Sequence, residues 1–203
     1  MCAHFTTDLT NPKIMAMYKA AAANGQLEDM SLMMEHRGEV VPTCVVPVLM
    51  APENYQPMRW GFPLSGDDVN YNARSEDACE KSMFRESMIR RRCAVAVTSF
   101  TETWKKRGQE VKYRFHVPGN DIIFLAGCWE HRRGQRYPFF TILTREAAGK
   151  AGEVHHRMPV ILKPERLDEW LVTRMAPMHD PIVFVEYKPY YEGGSLFDLV
   201  PDA

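Results

Sequence analysis

The strongest constraint on the fold is a series of short apolar segments between residues 93 and 144. They read CAVAVTSF, VKYRFHV, DIIFLAGCWE and PFFTILT. Each is of strand length and rich in β-branched and aromatic residues, which favour strands. Gly119-Asn120 and the charged stretch HRRGQR fit hairpin connections between them. Many short strands with few helices predict an α+β fold with a β-rich core.

Three segments have the pattern of helices. NPKIMAMYKAAAANG predicts a helix with Asn11 as its cap, Pro12 in the first turn and Gly25 as its stop. The spacing of apolar residues predicts a second helix over residues 75–89. KPERLDEWL predicts a third, short helix.

Three further segments have an extended pattern. CVVPVLM is β-rich but interrupted by Pro47, which predicts an edge position or a bend because proline cannot donate to a ladder. PMRWGFPL is a second extended piece, and PIVFVEY predicts a late strand.

Length and composition limit the class of protein. The 203 residues predict one domain, 1–203, that is large enough to bury a core. The formal net charge of −1 means that any nucleic-acid binding must come from a local basic patch. We find neither an apolar run of membrane length nor a signal peptide. Five widely spaced cysteines without a C-x-x-C pair argue against a disulfide framework and a zinc knuckle. We therefore expect a cytoplasmic protein with no metal, no cofactor and no membrane partner.

The second residue is a cysteine, placed directly behind the initiator methionine. Removal of Met1 would leave Cys2 with a free α-amine beside its thiol. These groups ordinarily have pKa values near ~8 and ~8.5, so both are partly nucleophilic at neutral pH. For an isolated Cys2, chance is the simpler reading, so other residues must support a chemical role.

Three other stretches place reactive side chains in unusual contexts. NARSE spans Asn72 to Glu76, an arginine-led strand carries Glu102 at its far end, and VHHRMPVIL contains His155 and Arg157. Each allows a plain structural reading: Asn72 as a helix cap, Glu102 as an exposed charge, His155 as a satisfied core histidine. Their occurrence together with Cys2 favours function.

Taken in order, the motifs resemble those of the SOS response-associated peptidase (SRAP) family, whose members crosslink to abasic sites in single-stranded DNA. The similarity runs from Cys2 to about Trp170 and extends to GGSLFD near the end. The motifs that carry it are Met1-Cys2-Ala3-His4, Met58-Arg59-Trp60-Gly61, Asn72-Ala73-Arg74-Ser75-Glu76, Phe84-Arg85, Arg91-Arg92-Cys93, Ser99-Phe100-Thr101-Glu102-Thr103 and Val154-His155-His156-Arg157-Met158-Pro159.

The resemblance implies a barrel-like core of mostly antiparallel strands with a few flanking helices. It also implies that the protein is a monomer in the cytoplasm, nucleoid-associated when bound, whose partner is single-stranded DNA containing abasic sites. The catalytic residues that it implies are Cys2, Asn72, Glu102 and His155. The DNA-binding residues that it implies are Arg74, Arg85, Arg157 and Trp60.

The same resemblance implies a mechanism. The Cys2 amine attacks the ring-opened aldehyde of the abasic site to form an imine, and the thiol then closes a thiazolidine. Glu102 accepts protons from the amine, and His155 donates a proton as the sugar ring opens. Asn72 holds the N-terminus, and the arginines contact phosphates. Met1 is removed by self-processing, which is the source of the peptidase label.

Four positions depart from the family pattern. Ala3 and His4 replace glycine and arginine, and Thr101 and Thr103 replace the tyrosine and tryptophan beside Glu102. Because bases stack on aromatic side chains, these changes predict a lower or differently arranged affinity for DNA.

Two other functions remain open from the sequence. An N-terminal-nucleophile amidohydrolase would use the Cys2 thiol on an acyl carbon, and a non-catalytic single-strand binding module would leave Cys2 inert. Zinc binding by Cys2, His4, His155 and His156 has no support in their spacing.

Overall fold

Two β-sheets with helices packed on their outer faces form the body of the protein. The computed structural model describes residues 2–27, 30–106, 109–172 and 186–190. The strands are β1 (His4–Thr6), β2 (Glu39–Val40), β3 (Val45–Ala51), β4 (Asn54–Trp60), β5 (Phe62–Pro63), β6 (Val69–Asn70), β7 (Asn72–Arg74), β8 (Arg92–Val97), β9 (Ser99–Lys106), β10 (Gln109–His116), β11 (Ile123–Glu130), β12 (Phe139–Glu146), β13 (Arg157–Pro159), β14 (Ile161–Leu162) and β15 (Glu186–Tyr190). The helices are α1 (Pro12–Asn24), α2 (Ser31–Met34), α3 (Ser82–Arg90), α4 (Lys150–Val154) and α5 (Leu167–Val172), with a 3-10 turn at Pro164–Arg166.

The first sheet closes on itself. Its strands pair in the order β12-β4-β3-β8-β11, and β11 pairs back to β12. Every pairing in this ring is antiparallel except that of β12 with β4, which is parallel. The ring confirms the barrel-like, mostly antiparallel core. β7 also pairs in parallel with β12, so it enters the ring beside β4.

The second sheet lies against the ring and shares its core. Its order is β15-β10-β9-β1-β2, with every pairing antiparallel. Phe5 on β1 and Phe100 on β9 are fully buried in the same cluster as Val95 and Phe140 of the ring. The start of the chain is therefore held against the centre of the molecule.

Helices cover the outer face of the ring. α1 begins where predicted, because the side chain of Asn11 accepts hydrogen bonds from the backbone N–H groups of Lys13 and Ile14. Its buried residues pack on β3 and β4. α3 and α5 cover β8 and β11 through Phe84 and Trp170. No helix in the described ranges combines the length and the apolarity needed to cross a membrane.

The expectation of an edge strand at Pro47 is wrong. β3 lies inside the ring, between β4 and β8. Pro47 sits directly opposite Pro57 of β4, and the recorded pairing of β3 with β8 is at Leu49 and Ala94. The missing N–H of Pro47 is tolerated because the ladder to β8 does not extend to it.

Two other details differ from the sequence expectation. The turn at Gly119-Asn120 joins β10 to β11, which lie in different sheets, so it is a crossover and not a hairpin. HRRGQR does form the predicted hairpin between β11 and β12. The second helix begins at Ser82 and not at residue 75. Of the predicted late strand PIVFVEY, only Glu186 and Tyr187 lie within the described residues, where they begin β15 (Glu186–Tyr190), and GGSLFD lies outside the described residues.

Candidate active site

Cys2 is buried where the chain enters β1. Its exposed fraction is 0%. Its backbone carbonyl accepts a hydrogen bond of 2.7 Å from Nδ2 of Asn72. Its thiol donates to the carbonyl oxygen of His4, with sulfur and oxygen 3.6 Å apart. Burial, and then the carboxylate of Glu102, raise the pKa of the Cys2 thiol well above its usual range, so the thiol is protonated at neutral pH.

Asn72 contacts Cys2 from a strand that pairs with the ring. It begins β7, where it pairs in register with Ile142 of β12. Its side chain is buried, and Oδ1 has no hydrogen-bond partner within the part of the chain that the structure describes. Buried amide oxygens are normally satisfied. The amide is thus positioned on the backbone of Cys2 with one acceptor still available.

Glu102 faces the same buried region from β9. It lies two residues after the core residue Phe100, so the alternation of a strand directs both side chains to one face. Only 4% of Glu102 is exposed. Desolvation raises the pKa of its carboxyl to about 7. At neutral pH this carboxyl exchanges protons readily, as a general base or acid must.

His155 completes the cluster from the segment that follows α4. Its Nδ1 lies 4.0 Å from Oε2 of Glu102 and 3.0 Å from both the backbone nitrogen and the carbonyl oxygen of Arg157. Nδ1 accepts in the contact with the N–H and donates in the contact with the carbonyl oxygen, so Arg157 orients the ring in either tautomer. Burial lowers the pKa of His155, which favours the neutral ring. Cys2, Asn72, Glu102 and His155 are called the Cys2 cluster below.

A cavity of about 660 Å³ opens beside this cluster. Cavities of this size accept drug-sized ligands. Its wall combines apolar surface with polar and charged side chains, which can accommodate a sugar or a nucleotide. Its lining residues are Ala3, His4, Val41, Thr101, Glu102, Thr103, Lys112, Val154, His155 and His156. In the described ranges, no group of three or more His, Cys, Asp or Glu side chains has the arrangement of a metal site.

Comparison with known families supplies the context for this geometry. Residues 1–190 match the family described as SOS response associated peptidase (SRAP). The chain belongs to the SRAP family.

Curated relatives of this SRAP chain are described as abasic site processing proteins. Abasic site processing protein YoaM of Bacillus subtilis is 34% identical over 125 residues, which cover 56% of this chain and 55% of YoaM. Abasic site processing protein YMR114C of Saccharomyces cerevisiae is 31% identical over 151 residues, 68% of this chain and 40% of that protein. The chain spans about half the length of the curated relatives it matches.

Solved structures share the fold. A protein from Bacteroides thetaiotaomicron superposes with a TM-score of 0.74 at 19% identity, covering 97% of each chain. A second, from Bordetella bronchiseptica, has a TM-score of 0.70 at 21% identity, covering 94% of this chain and all of the other. At these identities the likeness shows the fold alone.

Arg157, a predicted phosphate contact, makes hydrogen bonds within this SRAP chain. Nη1 and Nη2 donate to the two carboxylate oxygens of Glu76 at 2.7 and 2.8 Å. Nη2 also donates to the carbonyl oxygen of Thr144 at 2.6 Å and to its hydroxyl at 3.3 Å. The Arg157 hydrogen bond lowers the pKa of Glu76 to about 2. Arg157, Glu76 and Thr144 are called the Arg157 cluster below.

The other predicted DNA contacts fall in different places. Trp60 is fully buried, donates from its indole N–H to the carbonyl oxygen of Tyr71 at 2.8 Å, and packs against Phe5 in the core. It therefore offers no face to a base in this structure. Arg74 is exposed on β7, two residues after Asn72, so it follows the same face of that strand. Arg85 is exposed on α3, on the outside of the ring.

Sequence reasoning missed Glu39. This residue on β2 bridges Nε2 of His4 and Nη2 of Arg114, the latter at 3.2 Å. Its partners lie 35 and 75 residues away along the chain. No local pattern could have shown this grouping, because only the pairing of β2, β1, β9 and β10 in one sheet creates it.

Proposed function

We propose that the protein processes abasic sites in single-stranded DNA by forming a covalent thiazolidine crosslink through Cys2. The observation that carries the proposal is the 2.7 Å hydrogen bond from Asn72 to the Cys2 carbonyl, which holds Cys2 beside Glu102, His155 and the cavity. Membership of the SRAP family and relatives described as abasic site processing proteins support it.

The reaction requires removal of Met1, because an internal cysteine has no α-amine. Once the Cys2 amine is free, it must lose a proton before it can attack. A carboxyl whose pKa is about 7 can accept that proton at neutral pH, and Glu102 lies in the same buried region as Cys2. The unsatisfied Oδ1 of Asn72 is available to accept an N–H of the new terminus.

The covalent step is balanced without an oxidant or a cofactor. The amine nitrogen adds to the aldehyde carbon of the ring-opened sugar, and Glu102 returns the proton that it took from the amine to the departing hydroxyl group, which leaves as water and gives an iminium ion. The Cys2 sulfur then adds to the same carbon as its S–H proton passes to the carboxylate of Glu102. Aldehyde and aminothiol thus give a thiazolidine and one water. The product no longer contains the C=N bond, which explains why it should resist hydrolysis.

His155 acts on the substrate in this proposal. Ring opening of the abasic sugar needs a proton on the ring oxygen. His155 lines the cavity, and its Nδ1 is held by the backbone of Arg157, which leaves Nε2 as the nitrogen available to the substrate. The backbone of Arg157 therefore fixes the ring orientation.

Single-stranded DNA is the proposed partner, held by phosphate contacts. Arg74 and Arg85 present exposed guanidinium groups that position a backbone without reading sequence. A phosphate contact by Arg157 would require its bonds to Glu76 to open, so for Arg157 this role stays a prediction. Two to three such contacts predict a slope of roughly −1.5 to −2 for log K against log salt.

The test uses intact mass and a denaturing gel. Purified protein is incubated with single-stranded DNA carrying one abasic site, and heat-stable adducts are counted. We expect the wild type to lack Met1 and to form a one-to-one adduct that has lost one water. Cys2→Ala and a version with an uncleavable N-terminal extension should form none. Cys2→Ser is the matched control, since it keeps the amine and should give only a borohydride-trappable imine. A heat-stable adduct of Cys2→Ala at the wild-type level would refute the proposal.

A further inference from the structure

The outer face of the second sheet carries a row of polar side chains next to the cavity. His4, Thr101 and Arg114 are direct cross-strand partners on β1, β9 and β10. Cross-strand partners point to the same face of a sheet. Their neighbours Phe5 and Phe100 enter the core, so this row faces away from it. His4 and Thr101 also line the cavity.

Glu39 occupies this row. One carboxylate oxygen contacts Nε2 of His4 and the other contacts Nη2 of Arg114. The side chains of Glu39 and Arg114 are 41% and 31% exposed, so solvent and a ligand can reach the ion pairs. Glu39 is on β2, a two-residue strand at the edge of the sheet. A carboxylate held there by two cationic or proton-donating groups occupies an anion site.

Two buried hydroxyl groups on this face of the sheet have no hydrogen-bond partner among the described residues. The hydroxyl of Thr101 is buried, with 3% of the residue exposed, and has no hydrogen-bond partner among the described residues. The hydroxyl of Thr6, which pairs in register with Glu39, is also buried without one. Buried hydroxyls are normally satisfied. A phosphodiester carries the same single charge, and its oxygens are arranged tetrahedrally about phosphorus, so one oxygen can be directed toward Thr101, which lines the same cavity as His4.

We propose that His4, Arg114 and Thr101 form a phosphodiester site that Glu39 fills in the free protein and that a backbone phosphate of single-stranded DNA takes on binding. Glu39 is then an internal competitor that weakens binding of intact strands. The inference rests on the proposed function only in taking single-stranded DNA as the ligand. It assigns a role to Glu39 and Arg114 that does not depend on crosslinking.

The experiment measures binding of single-stranded DNA without an abasic site to Glu39→Gln. The matched control is Glu130→Gln, which changes the net charge equally. Glu130 is the last residue of β11, in the other sheet, and pairs with Arg132. We expect Glu39→Gln to tighten binding about 3–10-fold at low salt and to steepen the slope of log K against log salt by about 0.7 to 1.4, one to two further phosphate contacts. Glu130→Gln should change binding less than about twofold.

A second pair of variants tests the hydroxyl. Thr101→Val in the Glu39→Gln background should remove most of the gain in affinity without lowering the melting temperature, because the hydroxyl has no partner in the free protein. Thr141→Val removes another buried, unpartnered hydroxyl, on β12, and should leave the gain intact. Persistence of the gain in the Thr101 variant would overturn the assignment of Thr101.

Three results would overturn the proposal as a whole. Equal tightening by Glu39→Gln and Glu130→Gln would reduce the effect to net charge. Weaker binding by Glu39→Gln would make Glu39 a support for His4 and not a competitor. Inhibition by inorganic phosphate at constant ionic strength, with no gain for DNA, would assign the site to free phosphate. Because none of these measurements needs an adduct, failure of crosslinking alone would refute the proposed chemistry and leave this site standing.

Discussion

NARSE and HHRMP each contribute one side chain to each of two polar clusters, which differ in how burial affects their ionisable groups. Asn72 and His155 belong to the Cys2 cluster, whereas Glu76 and Arg157 belong to the Arg157 cluster. In the Arg157 cluster two guanidinium nitrogens donate four hydrogen bonds of 2.6 to 3.3 Å, while Nε of Arg157 has no partner in the described residues. In the Cys2 cluster Oδ1 of Asn72 has no partner in the described residues. Burial holds the thiol and carboxyl of this cluster far from their ordinary pKa values.

The difference teaches how to read residues within one motif. A buried group with its bonds made supports the fold, because breaking those bonds costs free energy and gains nothing. A buried carboxyl whose charged form is disfavoured by desolvation, as in Glu102, is costly in the free protein, and such cost is typical of functional sites. The Arg157 cluster joins β12, β13 and the segment that follows β7. β7 begins with Asn72, and β13 begins two residues after His155.

The largest expected effect separates Glu102 from His155 within the Cys2 cluster. Glu102→Gln should slow adduct formation by about 10²–10⁴-fold, since it removes a positioned base. His155→Ala should be similarly slow on an abasic site but recover on a substrate whose aldehyde is already open, while the Glu102→Gln defect persists. Single-turnover rates on both substrates give the comparison. Wild-type rates for Glu102→Gln on both would remove Glu102 from the mechanism.

An intermediate effect concerns stability against pH. The carboxyl of Glu102 has an ordinary pKa of 4.5 and a folded pKa of about 7. Between these values the folded state keeps a proton that the unfolded state releases, so this residue lowers stability as pH rises. Glu102→Gln should therefore gain stability relative to wild type from pH 5 to pH 8, by at most about 3 kcal/mol.

Thermal melts of both proteins across this range measure the difference. Glu80→Gln, at an exposed position on the segment before α3, is the control and should show no such trend. A constant difference between the Glu102 variant and wild type from pH 5 to pH 8 would mean that Glu102 titrates at its ordinary value.

The smallest effect belongs to the Arg157 cluster. Lysine cannot make the paired contact with Glu76, so Arg157→Lys should lower the free energy of unfolding by about 1–3 kcal/mol. For a chain of this size that is a fall of about 2–4 °C in melting temperature per kcal/mol. Arg132→Lys, at a more exposed ion pair, should cost less than about 0.5 kcal/mol.

The adduct rate per folded molecule distinguishes support from contact. At low temperature Arg157→Lys should retain it within a few-fold. If the variant melts like wild type but loses DNA affinity, Arg157 contacts phosphate, as the family resemblance implies, and the two clusters are not functionally distinct.

Local patterns predicted the elements whose cause is local. α1 follows the Asn11 cap and Pro12, and the hairpin at HRRGQR follows its turn residues. Pairing between distant strands was not predictable in this way. Pro47 argued for an edge, yet closure of the ring places its strand between two others at a point where the ladder does not need its N–H. The crossover at Gly119 has the same origin, since its turn chemistry is that of a hairpin.

The same distinction between local patterns and long-range packing applies to the candidate site. Motif order indicated Cys2, Asn72, Glu102 and His155, and these four are brought together around one region. The motifs could not tell whether a conspicuous side chain points inward or outward. Trp60 is buried beside Phe5, and Glu39 acts through partners far along the chain.

The burial of the Cys2 sulfur has a consequence for the protein's life in a cell. Peroxide and disulfide exchange act on exposed thiolates, whereas this sulfur is buried and its burial raises the pKa of the thiol. Cys79, which is exposed, is the more accessible target for such reagents. We therefore expect the Cys2 sulfur to stay reduced under conditions that oxidise exposed thiols such as that of Cys79.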